Sequence, residues 1–407
     1  MSLISVEEAL QRVLAGIERP VGSKRVPLSA CAGRTLAEDV AALRDQPPFS
    51  ASAMDGYAVR AADLASLPAS LRVIGESAAG RRFSGPVSAG EAVRIFTGAP
   101  VPEGADSVVI QEDTTASGGA VTVHEAPRPG QWIRPAGLDF RSGAAGLRAG
   151  ERLDARRLAL AAAMGHPTLP VRRRPKVAIL ATGDELVRPG DEVGLDQIVA
   201  SNPYAVAAIV ERAGGEALDL GITRDTLPAL EERIRAAQDA GADILVTLGG
   251  ASVGEHDLVQ SALARQGMDL GFWRVALRPG KPLMHGRLGA MNLLGLPGNP
   301  VSSIVCAVLF LVPAIRALLG DPAAGADPAE PAVLGRDLPA NDGRQDYMRA
   351  TLVPQNEGLP VATPFAKQDS SMLSVLVQAQ ALVVRAPRAP AAAAGEACRI
   401  IPLDRFC

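Results

Sequence analysis

The chain has 407 residues and a formal net charge of -3, from 41 Lys+Arg against 44 Asp+Glu. At roughly 150 residues per domain this length predicts two to four domains, and the near-neutral balance, with no basic run longer than 172–174, argues against a general nucleic-acid binder. The four cysteines, Cys31, Cys306, Cys398 and Cys407, lack CxxC spacing, so neither a zinc site nor a disulfide framework is expected and a reducing cytoplasm fits best.

Residues 5–17 predict an amphipathic helix: Ser5 and Glu8 read as a capping box, and Leu10, Val13, Leu14 and Ile17 share a face. Acidic residues stand where a signal peptide would be basic, and no apolar run follows. Pro20 ends the helix. After β-like pieces over 21–40, residues 45–57 form a proline- and serine-bearing loop of the kind that carries function. Residues 71–77, 92–96, 107–111 and 121–124 predict short strands of a small β-barrel or sandwich. A helix is expected over 154–164, with Asp154 as N-cap and Gly165 at its end.

From Lys176 the pattern becomes α/β. Strand 177–180, helix 203–212 with Asn202 as N-cap and Gly214 as stop, helix 226–240, strand 244–247, helix 255–266 and strands near 273–277 and 292–295 predict a parallel sheet covered on both faces. The apolar helix 301–319 reads as core. Its most apolar run, 304–315, is interrupted by Pro313 and falls short of the ~20 residues of a membrane span. Residues 320–332 read as a linker, and 347–353, 382–385 and 399–402 as strands of a small all-β unit.

Strand 244–247 runs into Gly249, Gly250, Ser252 and Gly254 and then a helix, the geometry that offers backbone N–H groups and a positive dipole end to an anion. In a doubly wound sheet the loops after the strands, here 182–186, 249–257 and 296–300, converge on one crevice. The stiff stretch 278–282 brings Arg278 and Lys281 to it as cations, while Asp184, Glu185, Asp225 and Asp257 are oxygen donors suited to Mg²⁺. Each also has a plain structural reading: Asp184 and Glu185 as solvated turn residues, Asp257 as a helix-dipole partner, Arg278 and Lys281 as surface charges. Pro297 and Pro300 fit a stiff turn and a helix start, Asp55 and Asp139 fit turns, and Thr97 a strand end.

The stretches 52–58 (SAMDGYA), 96–100 (FTGAP), 104–106 (GAD), 182–186 (TGDEL), 249–255, 279–282 (PGKP) and 296–300 (LPGNP) together resemble the molybdopterin molybdenumtransferases of molybdenum cofactor biosynthesis, whose relatives include the gephyrin C-terminal domain. The resemblance implies a multidomain fold, α/β plus all-β. Its parts would be an N-terminal elongated domain (1–45 and 140–172), an inserted β domain (46–139), a doubly wound α/β molybdopterin-binding domain (173–320) and a C-terminal β-barrel-like domain (328–407). It implies a cytoplasmic homodimer with its cleft shared between subunits, acting on adenylylated molybdopterin and molybdate with Mg²⁺ and releasing AMP. Molybdopterin adenylyltransferase and downstream cofactor-handling proteins would be its partners.

Carried over by motif, Asp55, Thr97, Asp139, Glu185, Asp225 and Asp257 are the residues of activity, with Glu185, Asp225 and Asp257 on the metal. Gly249, Gly250, Ser252, Gly254, Pro297, Gly298, Asn299 and Pro300 would line the cofactor site. Arg278, Lys281, Arg349 and Ser371 would stand near the oxyanion, with Arg344 and Ser370 as competitors for the last two. Arg278 departs from the Lys common in the family. The alternatives are the adenylyltransferase sharing the α/β module, which lacks the N-terminal motifs, and a scaffold without turnover.

Overall fold

The computed structural model describes residues 3–249 and 258–407 and gathers the α/β stretch into one six-stranded sheet. Its order is Glu216–Thr223, Lys176–Thr182, Ile244–Leu248, Met291–Leu296, Pro282–Leu288, Asp269–Arg274. The first four strands are parallel, Val177 lying opposite Ile244 and Ile244 opposite Asn292. Pro282–Leu288 runs antiparallel to both of its neighbours, contrary to the all-parallel expectation, so that the last strand, Asp269–Arg274, again points the same way as the first four. Only Gly289 and Ala290 separate 282–288 from 291–296, far too little chain for a crossover, so a hairpin is the only connection available. The edge strand Glu216–Thr223 is not anticipated in the sequence, because one flank faces no partner and its side chains are mostly half-exposed.

Alternate residues of each strand feed separate cores. Val177, Ile179, Val246 and Leu294 join Val206 and Val210 of the helix Asn202–Ala213; Ala178, Leu180, Leu245 and Leu293 join Leu230, Ile234 and Leu263 of the helices Leu227–Asp239 and Leu258–Arg265. The sheet is doubly wound. Gly214 closes its helix in the left-handed region at φ +97, as expected. The N-cap expectation needs correction: Ser201 holds that position, and Asn202 is the first helical residue.

The helix Pro300–Leu318 lies beneath the first core with 83% of its apolar window buried, as a core helix requires, although it is long and apolar enough to cross a membrane. It continues past Pro313, as the expected helix 301–319 does. A π-turn at Ala307–Leu311 precedes the proline and takes up the missing N–H and the clash one turn back.

The N-terminal helix Val6–Ala15, capped by Ser5 Oγ accepting from Glu8 N at 3.0 Å, presses Val6, Ala9 and Val13 onto the same core. Strand Ser23–Pro27 pairs with Thr168–Arg172 around Leu36, Leu153, Met164 and Leu169. Between them a six-stranded sheet is inserted, in the order Ser107–Ile110, Gly56–Val59, Glu91–Ile95, Ala69–Ser77, Ala120–Val123, Thr114–Ser117. At the C-terminus five strands close a barrel: Gln345–Val353, Val361–Pro364, Glu330–Leu334, Ala397–Pro402 and Ala381–Arg385, the last pairing back to the first. The short strand Leu277–Arg278 of the α/β region adds to that barrel.

His285 sits at the back of the sheet, 4% exposed, its ring 5.4 Å from that of Phe272 and neither nitrogen hydrogen-bonded. Burial first, and Arg287 second, push its pKa down from 6.5 to about 4. A folded value below the unfolded one means the histidine contributes fully above pH 6.5 and loses that contribution as pH falls toward 4. His285→Leu is therefore expected to remove a stability loss on the order of 3 kcal/mol between pH 6.5 and 4, read from urea midpoints across that window. Parallel wild-type and variant curves would show that His285 is not what titrates.

Candidate active site

Turns leaving three adjacent parallel strands open on one side of the sheet: 182–186, Gly249 and 297–300. Glycine is needed at two of them. Gly249 has φ +94, and a Cβ there would lie 2.7 Å from the Thr182 carbonyl oxygen; Gly183 has φ +148, and its Cβ would meet Glu185 Oε2 at 2.5 Å. With these turns, 277–282 and 368–371 enclose a cleft of about 960 Å³.

Glu185, Asp225, Gly249, Arg278, Lys281, Pro297, Gly298, Asn299, Pro300 and Ser371 all line this cleft, so the convergence expected of the loops is realised. Gly250, Ser252, Gly254 and Asp257 lie outside the described residues. Asp225 N donates to Asp184 Oδ1 at 3.4 Å, bringing two acids side by side with Glu185 near. Partial burial, then the charges of Asp184 and Glu185, raise the Asp225 pKa above the ordinary carboxylate value. Among the described residues no three His, Cys, Asp or Glu side chains form a metal-holding group.

One cation, Arg349, differs from its expected placement, and a second, Arg278, has its guanidinium on protein acceptors. Arg278 borders the cleft, but its guanidinium donates to Asp346, to Asp342 Oδ2 at 3.2 Å and to Asn341 Oδ1 at 3.1 Å, all in the C-terminal unit. Arg349 is 1% exposed and does not line the cleft. Its Nε donates to Gln368 Oε1 at 3.3 Å and its Nη1 to Met372 O at 3.2 Å, which holds the 368–372 turn from below. Arg344 lines the cleft instead, and both Ser370 and Ser371 do. Lys281 is exposed, and its ammonium makes no ion pair among the described residues.

The sequence reading misses Asn202 and Asp369 as cleft residues. Asn202 Nδ2 donates to Gly298 O at 2.6 Å and ties the helix start to the 297–300 turn. The Ser-Asn-Pro run at 201–203 looks like a cap in sequence and conceals that role. Asp369 Oδ1 accepts from Ser371 N at 2.8 Å and Ser371 Oγ at 2.6 Å, a local turn that no sequence pattern ties to a site 70 residues earlier.

Asp55, Thr97 and Asp139 do not line the cleft of their own chain. Asp55 Oδ1 accepts from Thr97 N at 2.7 Å and Thr97 Oγ1 at 2.8 Å, which holds its carboxyl below the usual pKa. Arg94 lies beneath, 5.1 Å from the Tyr57 ring and 4.9 Å from that of Phe96, and donates to Gly56 O at 3.2 Å. Asp139 N donates to Gln46 O at 2.9 Å on a separate turn.

Comparison with known proteins covers the same ground. Residues 4–165 match the MoeA N-terminal region (domain I and II), 178–317 a probable molybdopterin binding domain and 331–403 the MoeA C-terminal region (domain IV). The chain is 34% identical over 405 residues to a molybdopterin molybdenumtransferase of Haemophilus influenzae, covering 99% of this chain and 100% of that one. It is 41% identical over 328 residues to one of Nostoc, covering 79% of this chain and 75% of the relative. A molybdopterin biosynthesis moeA structure from Pyrococcus horikoshii superimposes with TM-score 0.85 at 29% identity, covering 98% of this chain and 99% of that one. Its three matched regions and these full-length relatives establish that the chain belongs to the molybdopterin molybdenumtransferase family of molybdenum cofactor biosynthesis.

Proposed function

We propose that this chain inserts molybdenum from molybdate into adenylylated molybdopterin, releasing AMP, as a cytoplasmic homodimer that requires Mg²⁺. One observation carries the reading: a single cleft brings the cation Lys281 and three glycine- or proline-built turns together with the crowded acids Glu185 and Asp225. Backbone N–H groups and an ammonium suit an oxyanion and a phosphate. Neighbouring carboxylates that repel one another are oxygen donors of the kind a hard divalent ion takes, and Asp257 would complete a set that the described acids alone do not form.

Glu185 and Asp225, with Asp257, would hold that ion. The chemistry it supplies when bound is neutralisation of phosphate charge. Lys281 holds molybdate by charge, and Asn202 keeps the 297–300 turn against the pterin phosphate through its bond to Gly298. Ser370 and Ser371, on the turn held by Arg349, offer hydroxyls at the cleft mouth. The Asp55–Thr97 pair reaches a cleft from the partner subunit, which accounts for its absence from its own. The domains of this reading are 1–45 with 140–172, 46–139, 173–320 and 328–407. Molybdopterin adenylyltransferase would deliver the adenylylated substrate, and cofactor-handling proteins would receive the product.

AMP release from adenylylated molybdopterin tests the reading directly: it is expected only with both molybdate and Mg²⁺ present, and release indifferent to molybdate would overturn it. Shared clefts have their own test. Asp55→Asn and Asp225→Asn chains, each inactive alone, are expected to recover about a quarter of wild-type activity when co-expressed, since half the dimers are mixed and each has one intact cleft. No recovery would place both residues in one subunit's site.

Asp225 also predicts a trade between stability and function. Its folded pKa lies above the unfolded value, so its ionisation opposes folding and stability falls as pH rises through the raised value. Asp225→Asn is expected to raise the thermal midpoint at neutral pH by about 1–2 °C, a small effect because the group is largely exposed. Mg²⁺ should stabilise wild type more than the variant. Equal stabilisation of both would remove Asp225 from the metal site.

A further inference from the structure

The stretch 277–282 is held from two sides. Leu277–Arg278 pairs in parallel with the barrel strand Gln345–Val353, Leu277 opposite Gln345 and Arg278 opposite Asp346, and Gln345 N donates to Ala276 O at 2.8 Å. On the other side Gly280, at φ +121, rests on the core helix so closely that a Cβ would lie 2.5 Å from Cys306 Sγ. Lys281 follows immediately and lines the cleft.

The guanidinium of Arg278 finds its acceptors already in place. Asn341 donates through Nδ2 to Arg344 O at 2.8 Å and Ala386 O at 2.8 Å, which turns its amide oxygen toward Arg278. Asp342 accepts from Arg344 N at 2.8 Å and Arg344 Nη2 at 2.7 Å while also accepting from Arg278. Asp346 is 5% exposed, and its Oδ1 is buried without a hydrogen-bond partner, so Arg278 is what compensates this buried charge. A planar fork that meets three preset acceptors cannot swing to an anion without leaving Asp346 buried and unpaired.

We infer that Arg278 is a positioning residue, a strap by which Asp346, Asp342 and Asn341 of the C-terminal barrel fix the 277–282 loop, so that Lys281 and not Arg278 meets the oxyanion. This rests on the proposed transferase reading and assigns its anion contact to one side chain. It also makes the barrel part of the site, because the way the barrel docks sets where Lys281 stands. Arginine is the residue that can make this fork; a single ammonium has no planar fork with which to meet three acceptors.

The test uses the full-length chain and two readouts. The first is hydrogen exchange of the peptide spanning 277–282, which reports the strap whether or not the protein turns over. Asp346→Asn and Arg278→Lys should each speed exchange there at least ~10-fold, and the double variant should be no faster than the faster single one, because both changes cut one interaction. The second is the molybdate KM for AMP release. Lys281→Met should raise it at least ~10-fold with kcat less affected, whereas Asp346→Asn should raise it only a few-fold.

Unchanged exchange in both strap variants would overturn the inference. So would an Asp346→Asn protein that binds molybdate more tightly than wild type, since that is what a released, anion-binding Arg278 would produce. Faster exchange in a protein whose wild type releases no AMP would sustain the strap and sink the transferase reading, which separates the two failures.

Discussion

The burial of the helix Pro300–Leu318 is the contact on which the other parts of the molecule depend. Its first residue ends the 297–300 turn of the cleft, and Val301 N donates to Ser370 O at 3.1 Å, holding the turn 368–372 at the mouth. Cys306 forms the floor under Gly280, and Val21 N donates to Leu318 O at 2.8 Å where the N-terminal segment crosses the far end. Residues from the N-terminal helix, the sheet and the barrel share its apolar core. A helix buried nearly all round moves only with its neighbours, so cleft geometry and core packing are one problem.

Electrostatics at the cleft follow two regimes. Where charge is structural it is spent on protein acceptors: Arg278 meets three on the barrel, and the buried Arg349 binds Gln368 and Met372. Two charges at the cleft differ: Lys281 has no ion pair among the described residues, and Asp225 is crowded by like charges. Repelling carboxylates are unfavourable in the free protein and are relieved by a ligand of opposite charge, while an unpaired exposed ammonium is free to take an anion, which is how a binding site differs from a salt-bridged surface. The same logic separates Asp55, whose carboxylate is held by Thr97 N–H and O–H, from the acids of the cleft.

Most of the cleft is legible before folding because turns at the carboxyl ends of parallel strands must open on the same side. Glu185, Gly249 and the 297–300 turn follow from that rule and meet as expected, and Asp225 and Lys281 join them from other loops. The errors lie where one residue type serves two purposes. Asn202 has the chemistry of a cap and instead holds Gly298; Arg349 has the chemistry of an anion ligand and instead holds Gln368 and Met372. An arginine reads identically in sequence whether its partner is a substrate or a carboxylate about 70 residues away.

The sequence by itself determined the elements and the family. Periodicity of two or 3.6, capping at Ser5 and Asp154, the stop at Gly214 and the glycine turns are local consequences of backbone sterics and of which face must leave water. The seven motif stretches carry the family because each preserves residue types in order along the chain. Only the tertiary structure decided the reversal of the strand Pro282–Leu288, the closure of the five-strand barrel and the capture of Leu277–Arg278 by that barrel. These depend on hydrogen-bond partners distant in sequence, and on which charge reaches an acceptor first, quantities that exist only once the chain has folded.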